Sequence, residues 1–374
     1  MTKAKRWITL GLAVLLTAAV CSSGVLSRPE PLAPELENIS GWINSEPLLI
    51  EELQGKVVLV DFWTYTCVNC IRTFPFLKEW HNKYADKGLV ILGVHTPEFE
   101  VEKRRENVEA AAAEFGLAYP IAQDNDYGTW NAFDNRFWPA KYLIDKDGYI
   151  RYTHFGEGEY METEQWIQTL LVEAGTLSEE IPLNPDEGPQ RADVQPLIDD
   201  ADLRFTRELY GGYDRNYHPS GQYVNGIAHP AYYDGRDEIN AYTDPGTHLN
   251  QYLYLQGHWL NGPESLVHAR ATQGYDDYLA IKFFATSANA VLRSAGGESY
   301  KVWVTLDGRN LTEENRGVDV TFDEDGRSVV IVDEPRMFRL VETGELATHE
   351  LRLSSNSDQF SLFAYTFGFY TEGP

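Results

Sequence analysis

One stretch constrains the fold of this chain more than any other: Lys56–Pro75, which reads KVVLVDFWTYTCVNCIRTFP. Its apolar, β-branched run Val57–Trp63 predicts a fully buried strand. The strand leads into Cys67-Val68-Asn69-Cys70, where we expect a helix to begin. Two cysteines at this spacing can close a small disulfide ring, and the free N–H groups of a helix N-terminus stabilise a thiolate on the first one. The stretch therefore predicts a thiol–disulfide exchange site.

The number and positions of the cysteines support a redox role for this pair. The chain has three cysteines, and Cys21 lies apart in a hydrophobic segment. A structural zinc site needs about four ligands, and no histidine lies close to the pair in sequence. We therefore expect no metal and no cofactor other than the redox-active Cys67–Cys70 pair. The formal net charge of −26 argues against a nucleic-acid partner, which would require a basic face.

The N-terminus predicts export. Lys3, Lys5 and Arg6 precede an apolar run from Trp7 to Val20, and basic residues on the near side orient such a segment with the rest of the chain outside. We interpret residues 1–27 as a signal or membrane anchor and favour a retained anchor, with secretion after cleavage as the alternative. The expected location is the periplasm or the extracytoplasmic face of the cell membrane.

The chain divides by pattern into an α/β domain over 34–175, a Pro- and acid-rich linker over 176–203, and an all-β domain over 204–374. In the α/β domain, strands are predicted at 57–63, 89–94 and 119–122, a hairpin at 141–154, and helices at 71–84, 101–115, 127–133 and 162–174. In the third part, short β-rich runs recur without a convincing amphipathic helix. Their spacing predicts a β-sandwich of jelly-roll type.

The first domain resembles the thioredoxin superfamily in more than its CxxC. Asp61–Trp63 precedes the pair as the family's buried acid and tryptophan do, Pro75 stands where the family kinks its helix, and Trp138-Pro139 precedes the hairpin as the family's cis-proline does. The resemblance implies a cis peptide at Trp138-Pro139 and the α/β thioredoxin fold. The exported setting is similar to that of the membrane-tethered extracytoplasmic branch.

The chemistry follows that resemblance. Cys67 is expected to attack a client disulfide, and Cys70 to resolve the mixed disulfide and release the reduced client. Asp61 is the candidate base for Cys70, because an unpaired acid in an apolar strand is costly unless it has a role. The residues expected to contact substrate are Trp63, Trp138 and Pro139.

Three features leave alternatives open. Val68-Asn69 replaces the Gly-Pro of thioredoxin, so the direction of electron flow is undecided by sequence, although we favour a reductase. Thr64-x-x-Cys67 matches half of the peroxiredoxin signature, but Val60 stands where that signature needs proline, which makes a thiol peroxidase the lesser alternative. His95 and Glu98 either approach the site or are ordinary loop residues.

The all-β domain over 204–374 resembles the second domain of DipZ-type proteins, a carbohydrate-binding-module-like sandwich. The segments that carry this resemblance are Glu208–Tyr213, Leu255–Trp259, Val304–Gly308 and Phe363–Phe369. Such proteins carry a multi-helix membrane domain, whereas this chain has one hydrophobic segment. Protein disulfides are then the expected clients, and a separate membrane protein of the CcdA/DsbD type the electron donor.

The alternative hypothesis is a binding protein and not an enzyme. In it, the β domain binds envelope glycan and the thioredoxin half serves as a scaffold. The candidate stacking residues are Tyr210, Tyr213, Tyr217, Tyr223, Tyr232, Tyr233 and Trp259. Such aromatic side chains can stack on sugar rings or fill a sandwich core, and we favour the core. We expect this domain to be non-catalytic.

Overall fold

The computed structural model describes residues 30–178, 181–185, 188, 204–216 and 226–370. The N-terminal run Trp7–Val20, Cys21 and most of the predicted linker lie outside the described residues. Among the residues described, none of the helices combines the length and the apolar character needed to cross a membrane.

The first part of the chain, here called the α/β half, alternates strands and helices as predicted. Its strands are β1 (Gly41–Ile43), β2 (Val57–Trp63), β3 (Leu89–His95), β4 (Ile121–Gln123), β5 (Ala140–Ile144) and β6 (Ile150–Phe155). Its helices are α1 (Val68–Tyr84), α2 (Arg105–Phe115), α3 (Gly128–Ala132) and α4 (Tyr160–Glu173), with 3-10 turns at Ile50–Leu53, Ala85–Lys87 and Glu100–Lys103.

Strand β2 lies inside a six-stranded sheet of order β1-β4-β3-β2-β5-β6. It pairs in parallel with β3 and antiparallel with β5. All seven of its residues are buried, because helices cover one face of the sheet and the loops around α3 cover the other. This confirms the predicted central strand, which delivers the chain to the cysteine pair. Glycines close two of the connections: Gly116 ends α2 with φ +66°, and Gly148 closes the predicted β5–β6 hairpin with φ +91°.

The second part of the chain, here called the β half, forms a large antiparallel sheet. Its described strands are β7 (Leu209–Tyr210), β8 (Ile239–Tyr242), β9 (Leu253–Asn261), β10 (Leu266–His268), β11 (Tyr278–Ser294), β12 (Tyr300–Leu306), β13 (Arg309–Asn310), β14 (Thr321–Phe322), β15 (Ser328–Val332), β16 (Arg336–Ser354) and β17 (Phe360–Gly368). The main path runs β14-β15-β12-β16-β11-β17-β10-β9-β8. Because β9 also pairs with β11, the strands β9, β10, β17 and β11 close a circuit around one hydrophobic core.

The all-β prediction is confirmed, with differences in detail. Strands β11 and β16 each join two runs that the sequence pattern separates, because paired partners hold both runs in one continuous ladder despite the bulges at Ala285–Asn289. Two helical turns also occur where none was predicted, α5 (Tyr213–Asn216) and α6 (Pro230–Asp234). They are too short to show an amphipathic period.

The two halves meet through a small apolar cluster. It is made by Val68, Phe99, Val101, Val291, Met337, Phe363 and Ala364. Within it, the rings of Phe99 and Phe363 lie edge to face with centroids 5.0 Å apart. Nearby, the backbone N–H of Glu100 donates to Glu264 Oε1 at 2.8 Å. Because Val68 belongs to this cluster and directly follows Cys67, the contact sets the β half against the predicted redox site.

Candidate active site

The two cysteines occupy the start of α1 as predicted. Cys67 is the N-cap residue with extended backbone angles, and the N–H of Cys70 donates to Cys67 Sγ at 3.3 Å. Cys67 is partly exposed and Cys70 is fully buried, and the two thiols are not bonded to each other. The helix N-terminus thus places a backbone hydrogen-bond donor on the Cys67 sulfur. The local geometry therefore separates an accessible nucleophile from an enclosed resolving thiol.

Behind the pair, Asp61 forms a buried ion pair. Its Oδ1 lies 3.2 Å from Lys141 Nζ, and the side chains are 0% and 1% exposed. Burial raises the pKa of Asp61, and the charge and hydrogen bond of Lys141 partly oppose that rise. The pKa of the Cys70 thiol is raised well above its usual value by burial, with Cys67 and the Asp61 carboxylate adding to the effect. An acid and a thiol whose proton affinities are both raised are suited to exchange a proton.

The peptide between Trp138 and Pro139 is cis. Trp138 is fixed beside the cysteine loop: its Nε1 donates to the carbonyl of Thr96 at 3.1 Å, and its ring packs on Trp130 with centroids 4.2 Å apart. Trp63 is placed differently, because its side chain is fully buried against Phe74 and His95. It supports the cysteine loop from inside and does not face the surface that a client would reach.

His95 also belongs to the interior. Its Nε2 lies 3.3 Å from Thr64 Oγ1, its ring stacks on Tyr65, and burial lowers its pKa to about 3. It is therefore neutral near pH 7. Glu102 holds the same loop, since its carboxylate accepts from Thr66 Oγ1 at 2.6 Å and from the N–H of Phe99 at 2.9 Å.

Cys67 opens into a cleft of about 320 Å³ between the two halves of the chain. Trp138 and Glu98 line it from the α/β half, and Glu208, Tyr210 and Arg215 from the β half. Tyr210 Oη lies 3.0 Å from Glu98 Oε1 and 2.9 Å from Glu208 Oε2. Arg215 Nη2 lies 3.1 Å from Glu98 Oε1. Of the two residues whose role the sequence left open, Glu98 thus lies at the cleft, whereas His95 is buried in the interior.

The residues between the cysteines make contacts that explain their departure from Gly-Pro. Val68 is buried in the apolar cluster between the halves. Asn69 Oδ1 accepts from Arg72 Nη1 at 3.1 Å, and that same nitrogen lies 3.5 Å from Glu157 Oε2. Val68 thus packs against the β half, and Asn69 orders the first turn of α1.

Sequence reasoning missed Lys141 and Arg215, and it considered Tyr210 only for sugar stacking and not for the cysteine site. Lys141 had a usable signal, a lone cation inside the apolar strand β5 directly after the cis-proline. Tyr210 and Arg215 had no such signal, since nothing local shows that they line the same cleft as Cys67.

Across the described ranges, no group of three or more His, Cys, Asp or Glu side chains is placed to hold a metal ion.

The aromatic residues considered for sugar stacking do not form one platform. Tyr232 and Trp259 are fully buried in the core, as the favoured interpretation expected. Tyr210 lies in the cleft, and Tyr213 Oη hydrogen-bonds Asp237 at 3.1 Å. Tyr233 is half-buried against the core. Tyr217 and Tyr223 lie outside the described residues.

Comparison with known proteins gives matches on both halves. The Redoxin family model matches residues 44–167, and a model described as Thioredoxin like C-terminal domain matches residues 206–368. Protein DipZ of Mycobacterium bovis is 41% identical over 214 residues, which is 56% of this chain and 30% of DipZ. The chain thus spans about a third of the length of that relative.

A shorter relative is matched almost completely. The thiol-disulfide oxidoreductase YkuV of Bacillus subtilis is 31% identical over 140 residues, which is 37% of this chain and 94% of YkuV. Among solved structures, a thioredoxin-like protein in its oxidized form is 33% identical, covering 38% of this chain and 97% of its own, with a TM-score of 0.36.

Proposed function

The chain belongs to the thioredoxin superfamily; from that premise, we propose that it is a thiol–disulfide oxidoreductase that reduces protein disulfides through the Cys67–Cys70 dithiol, outside the cytoplasm. One observation carries the proposal: a partly exposed cysteine caps α1, its sulfur accepts the N–H of a buried second cysteine, and it opens into a cleft lined by Trp138, the residue before the cis-proline.

The proposed reaction has two exchange steps. Cys67 thiolate attacks one sulfur of a client disulfide and forms a mixed disulfide. Asp61 then takes the proton of Cys70, and the Cys70 thiolate attacks Cys67 Sγ, which releases the second client sulfur and leaves a Cys67–Cys70 disulfide. Trp138 and Pro139 form the wall against which the client segment lies. The two electrons come from the dithiol, so the proposal needs no bound cofactor.

The proposed setting follows from the sequence. We assign residues 1–27 to a signal or retained anchor, 34–175 to the thioredoxin-like domain, 176–203 to the linker and 204–374 to the β domain. The reduced dithiol must be regenerated, and a separate membrane protein of the CcdA/DsbD type is the proposed electron donor. Similarity to DipZ covers 56% of the chain, and the two family models match inside the proposed thioredoxin-like and β domains.

Insulin reduction by the full chain with dithiothreitol tests the proposal. Cys67→Ser should abolish the activity, and Cys70→Ser should accumulate a mixed disulfide, since the resolving thiol is missing. Cys21→Ser is the matched control and should retain activity, because that cysteine lies in the N-terminal hydrophobic segment. Full activity of Cys67→Ser would contradict the proposal.

Glycan binding by a jelly-roll, carbohydrate-binding-module-like β half is the second candidate, and a surface feature supports it. The rings of Tyr275 and Trp303 lie edge to face at 5.6 Å, and Trp303 Nε1 donates to Asn310 Oδ1 at 2.7 Å. Paired aromatic rings beside an amide are suited to sugar stacking. Retardation of the full chain in polysaccharide gels, lost in Trp303→Ala, is the expected result; equal mobility of both proteins in every gel would contradict it.

A further inference from the structure

Tyr210 contacts two carboxylates but has one hydroxyl proton to give. Its oxygen lies within hydrogen-bond distance of Glu98 on one side and of Glu208 on the other. Burial and the two carboxylates raise the pKa of Tyr210 beyond its usual range, so the phenol stays protonated. One hydroxyl proton satisfies one of the two contacts, and the other becomes a hydrogen bond only when a carboxyl group carries a proton. The geometry thus favours a proton bound to one of the two carboxyl groups of this cluster, which consists of Glu98, Tyr210 and Glu208.

Glu98 is the better placed of the two carboxyl groups to carry that proton. Its side chain is 15% exposed, whereas Glu208 belongs to the exposed residues of the chain. Desolvation within the cleft raises the pKa of the Glu208 carboxyl group as well. Burial raises the pKa of Glu98 to about 7 and Glu208 adds to the rise, against the lowering by Arg215 and the Tyr210 hydroxyl. The titratable and charged groups that face Glu98 are Arg215, Glu208 and Tyr210 from the β half, and Glu102 and Tyr127 from the α/β half.

The cluster shares a cleft with the nucleophile. Cys67, Glu98 and Tyr210 line the same space of about 320 Å³. When a thiolate attacks a disulfide, the second sulfur leaves with the bonding electron pair, on the side away from the attacking atom. A client held in this cleft therefore releases its first thiolate into the space that the cluster borders.

We propose that Glu98, held in place by Tyr210 and Arg215 of the β half, is the general acid that protonates the client thiolate released when Cys67 attacks. This inference rests on the proposed reductase function. It also gives the β half a part in the reaction, because both residues that position the acid, Tyr210 and Arg215, come from it.

The attack of Cys67 on the client disulfide balances in protons and electrons. The Cys67 thiolate forms a bond to one client sulfur, the client S–S bond breaks, and the other client sulfur leaves as a thiolate with the electron pair. Glu98 gives its proton to that thiolate and becomes a carboxylate beside Arg215. Solvent in the cleft reprotonates it before the next turnover, while Cys70 resolves the mixed disulfide.

Leaving-group dependence provides the test. The pre-reduced full chain is mixed in single-turnover experiments with two uncharged disulfides, hydroxyethyl disulfide and dipyridyl disulfide. The alkyl thiolate is a basic leaving group that needs a proton, and the pyridyl one leaves readily without it. We expect Glu98→Gln to lower the rate toward the alkyl disulfide on the order of 10²-fold, the usual contribution of general acid catalysis, and the pyridyl rate far less.

The ratio of alkyl to pyridyl rates should also fall as the pH rises past about 7 in the unmodified chain and stay level in Glu98→Gln. Tyr210→Phe keeps the ring and removes the hydroxyl, so it should lower the ratio in the same direction. Glu264→Gln is the matched control, since Glu264 also bridges the halves but does not line the cleft.

An unchanged ratio in Glu98→Gln, or an equal loss of both rates, would overturn the inference while leaving the reductase proposal intact. Failure of the unmodified chain to react with either disulfide would overturn the proposed function and this inference together.

Discussion

Lys141 Nζ lies 3.2 Å from Asp61 Oδ1 beneath the cysteine pair, and both side chains are almost completely excluded from water. The cation comes from β5, directly after the cis-proline, and the acid from β2, directly before the cysteine loop. The antiparallel register sets Asp61 opposite Lys141, so the ion pair is a consequence of how these two strands align.

Replacing the acid tests its kinetic role. We expect Asp61→Asn to slow release of the client from the mixed disulfide near neutral pH, because asparagine cannot accept the Cys70 proton. Formation of the mixed disulfide by Cys67 should change little. Rapid-quench trapping of the mixed disulfide measures both steps, and unchanged resolution kinetics would remove Asp61 from the mechanism.

Replacing the cation tests the energetics of the pair. Lys141→Met leaves a buried acid without its partner, which typically costs about 3–5 kcal/mol of unfolding free energy. The double variant Asp61→Asn/Lys141→Met has neither charge and should regain much of that loss. Urea unfolding of the single and double variants measures the coupling, and strictly additive losses would contradict it.

The apolar contact between the halves should control access to Cys67. Phe363→Ala removes the ring that packs on Phe99 and should cost about 3–5 kcal/mol of stability at the contact. In a Cys21→Ser/Cys70→Ser background, Cys67 should then react faster with a bulky maleimide, because the cleft opens. Phe322→Ala is the control, since Phe322 is 39% exposed. Equal labelling rates in all three proteins would show that the β half does not restrict the site.

His95 should make the chain sensitive to acid. Burial lowers its folded-state pKa from 6.5 to about 3, so between these values the unfolded chain binds the proton and the folded chain does not. Stability from this residue is therefore complete above pH 6.5 and is lost as the pH falls toward 3, by on the order of 5 kcal/mol. His95→Phe cannot titrate, so the difference in unfolding free energy between the two proteins should shrink over that window. A pH-independent difference would contradict this assignment.

The predictable parts of the molecule are those fixed by local sequence. Strand β2 and the β5–β6 hairpin follow from apolar runs and turn residues next to each other in the chain. The cysteine pair, Asp61 and Pro139 carry a recognisable spacing, and the structure brings them to the start of α1 and the loop beside it.

What could not be predicted depends on pairing over long sequence distances. Nothing near Tyr210 shows that it will contact Glu98, because that contact requires the β half to dock on the cysteine loop. The continuity of β11 and β16 likewise comes from their mutual pairing, which local patterns do not encode. The cysteine site is therefore recognisable from sequence, but the side of its cleft that the β half forms is not.

The equilibrium reduction potential of the Cys67–Cys70 pair decides the direction of electron flow. Equilibration of the full chain in dithiothreitol and glutathione buffers, followed by alkylation and mass analysis, gives the fraction of dithiol at each potential. A reductase is expected near the reducing end of the thioredoxin-like range, on the order of −270 mV. A value near −120 mV, where the dithiol is the favoured form, would identify an oxidant and contradict the proposed reductase function.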